Sequence, residues 1–223
     1  MADVVHSRSF EAPPVNMDEV LRYAGAAGAA DGELIDLART CAEMAAPQLS
    51  YRVCWRAFPI KMDGEALDLG FARTRSAALR RNLEGCGRVV VFAATVGLGI
   101  DRLIERYKAL SPARALMLQA VGAERVEALC GAFCRQLSDE AAGEGLCARP
   151  RFSPGYGDLP LALQRDIFAA LDCPRRIGLT LNDSLLMSPS KSVTAIVGLG
   201  RGPGHAAGGC GACARRDCQF RKG

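Results

Sequence analysis

Aromatic residues are scarce in this 223-residue chain, at 6% with one tryptophan, and histidine is scarcer, with only His6 and His205. Two histidines so far apart, both in stretches without periodicity, nominate no Ser/His/Asp or Cys/His pair for nucleophilic chemistry. No apolar run approaches the roughly 18 residues of a membrane span. The opening MADVVHSRSFEAPP lacks an apolar segment followed by a small-residue cleavage site, so no secretory signal is expected. Net charge is only +4, and the one dense basic cluster, Arg215, Arg216, Arg221 and Lys222, reads as a solvated tail. A basic stripe set with aromatics, the usual footprint of a nucleic-acid binder, is missing. Neither nucleic acid nor membrane is an expected partner, and the expected location is the cytoplasm.

What the chain does have is a core and thiols. Hydrophobic residues make up 49% and charged residues 23%, ordinary for a globular protein of this length. Ten cysteines in a chain without a signal read as reduced thiols rather than a disulfide framework. Three of them form a tighter pattern. Cys210-x2-Cys213-x4-Cys218 brings three thiolates within reach of one metal, because the glycine-rich chain between them can curl around it. A tetrahedral site needs a fourth ligand, and His205, Cys173 or a cysteine of another chain are the candidates. Zinc and an iron–sulfur cluster both fit, and a free-thiol tail is the plainer reading. Residues 204–223 lack periodicity and are taken as a segment appended to a domain spanning 1–203.

Within that domain, Asn16 to Glu19 forms a capping-box pattern ahead of Val20, Leu21 and Tyr23. Leu34, Leu37, Ala38, Cys41 and Ala45 recur at helical spacing until Pro47. Residues 51–60, YRVCWRAFPI, read as a strand, and Asp63-Gly64 turns into a second strand near 66–71, predicting a hairpin. Ser76 to Leu83 reads as a short helix. The continuous apolar run from Arg88 to Val96 predicts a strand buried on both faces, followed by a helix over 100–109. Ser111-Pro112 opens a long amphipathic helix carrying Val126, Leu129, Cys130, Phe133, Cys134 and Leu137 on one side. Residues 161–171 read as a helix, 176–181 as a strand and 192–199 as another. Strands and helices mix without βαβ alternation, so the expected class is α+β.

The turn Gly97-Leu98-Gly99 after the central strand evokes a dinucleotide loop, but position 102, where a third glycine belongs, is Arg102. A tight strand-to-helix turn suffices. Glu124 and Glu127 fall on the polar side of the long helix and read as a solvated face. The sharper alternative is that one of them faces a cationic ligand, and Glu127 is kept as a candidate ligand contact. RFSPGYGDLP, residues 151–160, packs two glycines and two prolines around Arg151 and Tyr156, a composition that specifies one rigid loop.

Three ordered segments together resemble the activation domain of cobalamin-dependent methionine synthase. Arg151-Phe152-Ser153-Pro154-Gly155-Tyr156 is similar to that family's R-x-x-P-G-Y signature. Leu181-Asn182-Asp183-Ser184-Leu185-Leu186-Met187-Ser188-Pro189, then Ser192-Val193, is similar to its L-T-E-S-x-x-M-x-P…S-V segment, and Ala123 to Ala128 to its A-D-R-L-A-E helix. The resemblance runs from about Val15 to Val197. It implies a C-shaped α+β fold with a twisted antiparallel sheet, and S-adenosylmethionine held in a shallow groove facing the corrin of a cobalamin module. It also implies a task, reductive reactivation: an electron from flavodoxin or a similar donor reduces oxidised cobalamin, and S-adenosylmethionine methylates it.

Carried over, Arg151 holds the methionyl carboxylate, a task suited to a guanidinium fork. Ser153 and Gly155 offer backbone groups to the ligand, and Tyr156 lies toward the corrin. The family's acidic contact from an early helix corresponds to Asp36 or Glu43. After Tyr156 the family continues P-A-C-P where this chain has Gly157-Asp158-Leu159-Pro160, and the family's C-terminal tyrosine pair has no counterpart. No corrinoid-binding D-x-H-x-x-G is present, which implies action in trans on a corrinoid protein, as in a split methionine synthase. The alternatives are a docking module that recognises corrinoid proteins without S-adenosylmethionine, and a metal or iron–sulfur redox accessory.

Overall fold

The run RVVVFAAT has no side chain that prefers water between Val89 and Ala94, so it is stable only where both faces are covered. In the computed structural model, which describes residues 4–202 apart from 27 and 29, it is the middle strand of the main sheet. In chain order the elements are β1 (His6–Ser9), α1 (Met17–Tyr23), α2 (Gly32–Ala45), β2 (Arg52–Pro59), β3 (Lys61–Asp63), β4 (Ala66–Asp68) and β5 (Arg73–Thr74). Then come α3 (Ala77–Asn82), β6 (Cys86–Thr95), α4 (Gly99–Leu110), α5 (Pro112–Gly143), β7 (Cys147–Ala148), α6 (Leu163–Leu171), α7 (Cys173–Ile177), β8 (Thr180–Leu181), β9 (Met187–Ser188) and β10 (Ser192–Gly200).

The main sheet has the order β1-β2-β6-β10-β7, and every pair in it is antiparallel. The class is α+β as expected, with the sheet curled into a half-barrel. Alternation along the strands divides the interior in two. Val90, Phe92 and Ala94, with Ala195 and Val197, face α1, α2, α4 and α5, where Leu118, Val121, Leu129 and Phe133 cover them. Val89, Val91 and Ala93, with Cys54, Phe58 and Ile196, face Leu79, Ile167, Leu171 and Ile177 on α3, α6 and α7, and Leu83 just after α3. Each fully buried Leu, Ile or Phe contributes about 1.5–3 kcal/mol, so both faces are needed to hold the central strand.

Two expected elements differ. The hairpin between 51–60 and 66–71 does not form. β2 pairs along its length with β6 and β1, and the Asp63-Gly64 turn instead joins β3 to β4 in a separate small sheet. The composition of 51–63 is β-forming throughout, and only the tertiary partners divide it. The expected strand 176–181 begins two residues inside α7, since Pro174 suits the first turn of a helix that runs to Ile177, and the strand shrinks to Thr180–Leu181 paired with β9. The Gly97-Leu98-Gly99 turn is the tight corner expected. A Cβ at Gly99 would collide with the Gln48 carbonyl oxygen, so the glycine serves close approach of the preceding segment to the start of α4.

Candidate functional site

The helix α5 runs 32 residues and carries the site on its middle turns. Its Glu124 is not on a solvated face, contrary to expectation: it is paired with Arg125, both side chains are 3–4% exposed, and Arg125 Nε donates to Glu124 Oε2 at 2.5 Å and Nη2 to Oε1 at 2.7 Å. Arg125 sits four residues after Val121 and four before Leu129, on the buried side, and a charge at such a position was the available sequence signal. A buried charge persists only where its hydrogen-bonding capacity is filled. Here the remaining arms of Arg125 donate to the carbonyl oxygens of Pro13 (2.5 Å) and Pro14 (2.7 Å). Burial alone would lower the Arg125 pKa, but the Glu124 carboxylate, with a smaller part from Tyr51, holds it above its ordinary value.

Glu124 also alters the capping box. Asn16 caps α1 as expected, accepting from the Glu19 amide at 3.2 Å. The Glu19 side chain does not reach back; it pairs with Arg22 at 2.6 Å. The Asn16 amide donates instead to Glu124 Oε1 at 3.2 Å. Residues 13–16 thus form a strap fixed to α5 by two neighbouring buried side chains.

Beside the strap lies a groove of about 1060 Å³. It is lined by 13–19 with Tyr23, by α5 residues that include Glu124, Glu127, Cys130, Cys134 and Arg135, by Val197 of β10, and by the stretch 148–151. The last stretch follows β10, and reciprocal 2.8 Å bonds between Phe152 and Ile196 fix its register. Adjacent residues of an extended chain point to opposite faces. Phe152 accordingly joins the core on the α6 side, while Arg151 turns to the groove and ion-pairs with Glu127. This pair is about one-third exposed, open to a competing ligand. Burial opposes the Arg151 charge, but its surroundings, with the Glu127 carboxylate as the charged neighbour, hold its pKa above the ordinary value. Burial pushes the Cys130 and Cys134 thiols up, so neither is poised as a thiolate.

Of the expected ligand contacts, Arg151 and Glu127 meet in the groove. Ser153, Gly155 and Tyr156 lie in the adjoining loop, outside the groove lining. There the Gly155 amide donates to Leu159 O at 2.9 Å and the Tyr156 amide to Ser153 O at 3.1 Å. Tyr156 is 49% exposed and sets its ring edge-on to Phe152 at 5.3 Å. Asp36 and Glu43 are exposed on α2, Asp36 beside Arg39 at 3.8 Å, and neither lines the groove. The acidic side chains from the early part of the chain that do are Asp18 and Glu19. Sequence reasoning missed them, together with Tyr23 and Arg125.

The departure at Gly157-Asp158-Leu159 has a structural use. The Asp158 carboxylate accepts from the Ser76 hydroxyl and from the amides of Ala77 (2.7 Å) and Ala78 (3.2 Å), clamping the loop to the first turn of α3. The Ser76 hydrogen bond, then the two amides, hold its pKa below the usual carboxylate range. Gly157, at φ 58°, lets the backbone pass over Ala78, where a Cβ would stand 3.3 Å away.

Cys210, Cys213, Cys218 and His205 lie outside the described residues. Cys173, named as a fourth metal ligand, is fully buried in the core on the α6 side with its thiol against Cys54, so it is closed to that role. Among the described residues no three His, Cys, Asp or Glu side chains are grouped to hold a metal, the cysteines are free thiols, and no helix is long and apolar enough to cross a membrane.

The family model described as vitamin B12 dependent methionine synthase, activation domain, matches residues 81–202, more than half of the chain. No curated protein matches. Among solved structures, the crystal structure of the MetH reactivation domain bound to AdoHcy is similar with a TM-score of 0.61 at 16% identity, over 87% of this chain and 78% of that one.

Proposed function

The chain belongs to the activation-domain family of vitamin B12-dependent methionine synthase, and from that premise we propose that it reactivates a corrinoid protein in trans, using S-adenosylmethionine as methyl donor to cobalt. The observation that carries this reading is Arg151: a guanidinium held by a bridged strand at the wall of a roomy groove, facing carboxylates. S-adenosylmethionine is a carboxylate and two cations on one frame. Arg151 takes the methionyl carboxylate through its fork, while Glu127, Asp18 and Glu19 make the surroundings favourable for the sulfonium and ammonium charges. The solved relative holds AdoHcy, the same molecule less its methyl group.

In this reading Ser153 and Gly155 contribute backbone groups at the loop end, and Tyr156, half exposed, is presented to the corrin of the partner. A flavodoxin-like or other donor supplies one electron to the oxidised corrinoid, after which the methyl group leaves sulfur for cobalt. Cobalt in that state is a strong nucleophile and a sulfonium an activated donor, so the chain supplies position rather than acid–base groups. That suits a groove whose thiols are shifted toward the neutral form. The work belongs in the cytoplasm, and the cysteine segment 204–223 is an appendage that binds zinc or an iron–sulfur cluster. Labelled S-adenosylmethionine, a reductant and the cognate cob(II)alamin protein should together give methylated cobalt only when this chain is added. Failure with the cognate partner under reducing conditions contradicts the proposal.

A second reading has its own observation. Glu127 already occupies one arm of the Arg151 guanidinium, as in a groove that has given up its ligand. A docking module of this kind would bind a corrinoid protein tightly and S-adenosylmethionine not at all, an outcome calorimetry distinguishes directly.

A further inference from the structure

The strap at residues 13–16 provides part of the groove wall, and α1, which follows it, brings Asp18, Glu19 and Tyr23 to the same groove. Nothing in the strap's own sequence holds it there. Pro13 and Pro14 have no amide hydrogen, so this stretch can anchor only through its carbonyl oxygens. Both accept from Arg125, and the amide of Asn16, two residues on, donates to Glu124. Glu124 and Arg125 are buried against each other, and both also hydrogen-bond to the strap. Other such pairs in the chain, Glu105 with Lys108 and Asp36 with Arg39, lie exposed within a single helix. This pair instead is buried, its hydrogen bonds to the strap span more than 100 positions of sequence, and what they fix is the entry to α1.

We infer that Arg125 and Glu124 are positioning residues for ligand binding: through the Pro13 and Pro14 carbonyls and the Asn16 amide they hold the wall that carries Asp18, Glu19 and Tyr23. The inference rests on the reading that the groove takes S-adenosylmethionine. Without the pair, the strap and the first turn of α1 leave α5, and the groove loses Asp18 and Glu19 while Arg151 keeps its place beside β10 and Glu127 its place on α5.

The test compares the full chain with Arg125→Gln and Arg125→Lys, by amide hydrogen exchange and by titration with S-adenosylmethionine, under conditions where near-ultraviolet circular dichroism shows native packing. Removing hydrogen bonds to a buried charge should weaken S-adenosylmethionine binding about tenfold or more in Arg125→Gln. The Asn16 and Glu19 amides should exchange faster in that variant while those of β6 and β10 stay protected. Arg125→Lys keeps the charge with fewer donors and should recover part of both effects, with binding weakened about threefold. A merely structural role would lower the melting temperature and leave the affinity of the folded fraction unchanged. Affinity within twofold of the parent while the strap amides open overturns the inference, as do strap amides that stay protected. If Arg125→Gln does not fold, Arg125→Lys is judged by the same two readouts. Failure of the unmodified chain to bind S-adenosylmethionine would sink the functional reading, and the exchange data would still decide whether the pair holds the strap.

Discussion

Glu124 and Glu127 stand three positions apart on α5, and each holds an arginine, yet the two pairs do opposite jobs. Glu124–Arg125 is 3–4% exposed, fully hydrogen-bonded and tied to the strap. Glu127–Arg151 is 31–37% exposed and opens on the groove. Burial decides the difference. In the closed pair each charge needs the other, because water cannot replace a lost partner. In the open pair solvent or a ligand can substitute, so the contact adds little stability and is free to be exchanged. One helix turn therefore carries both the fastening of the site and its working end.

The largest effect should come from breaking the closed pair. Glu124→Ala or Arg125→Met leaves a buried charge alone and should cost about 3–5 kcal/mol in denaturant unfolding, while replacing both with apolar residues should recover much of that loss. A double variant as unstable as the singles would show that the strap, rather than the stranded charge, sets the cost. Arg151→Ala should cost at most about 1 kcal/mol, the scale of a solvent-screened pair. A loss as large as that of Arg125 would erase the distinction drawn between the two.

Asp158 extends the comparison to an exposed clamp. Its depressed pKa means that its contribution is present above the unfolded-state value of about 3.9 and is lost as pH falls through the lower folded value. The stability gap between the parent and Asp158→Asn should hold steady from neutral pH down to about 5 and close below about 4; a gap that persists in acid would mean the carboxylate is not the clamp. The smallest effect is expected for Glu127→Gln, about 0–1 kcal/mol and shrinking further in high salt.

Much of the fold was legible in the sequence because its signals were strong and local. The run Val89 to Ala94 could only be a strand covered on both faces, and Ser111-Pro112 with the apolar stripe to Leu137 could only be a long helix. The hairpin failed because nothing local in YRVCWRAFPIKMD separates a strand that pairs with β6 from one that pairs with β4. Helix α7 was hidden by Ile177, Leu179 and Leu181, which alternate like a strand although Pro174 marks a helix start. At the site, Arg151 and Glu127 were found singly, and their contact was not, since 24 positions separate them and the Phe152–Ile196 bridge brings them together. Glu124 was misread because polarity was taken as exposure, whereas its partner Arg125 lies among Val121 and Leu129. Asp158, a departure from the family pattern, has its partners on α3, 80–82 positions away.

The central claim is that the open arginine exists to hold a ligand's carboxylate. Calorimetric titration of S-adenosylmethionine into the parent chain and into Arg151→Ala tests it most directly. Saturable binding by the parent, weakened about 100-fold in a variant that keeps its fold, is the expected result for losing a bidentate charged contact. Equal affinity in the two proteins, or no binding by either, would contradict it.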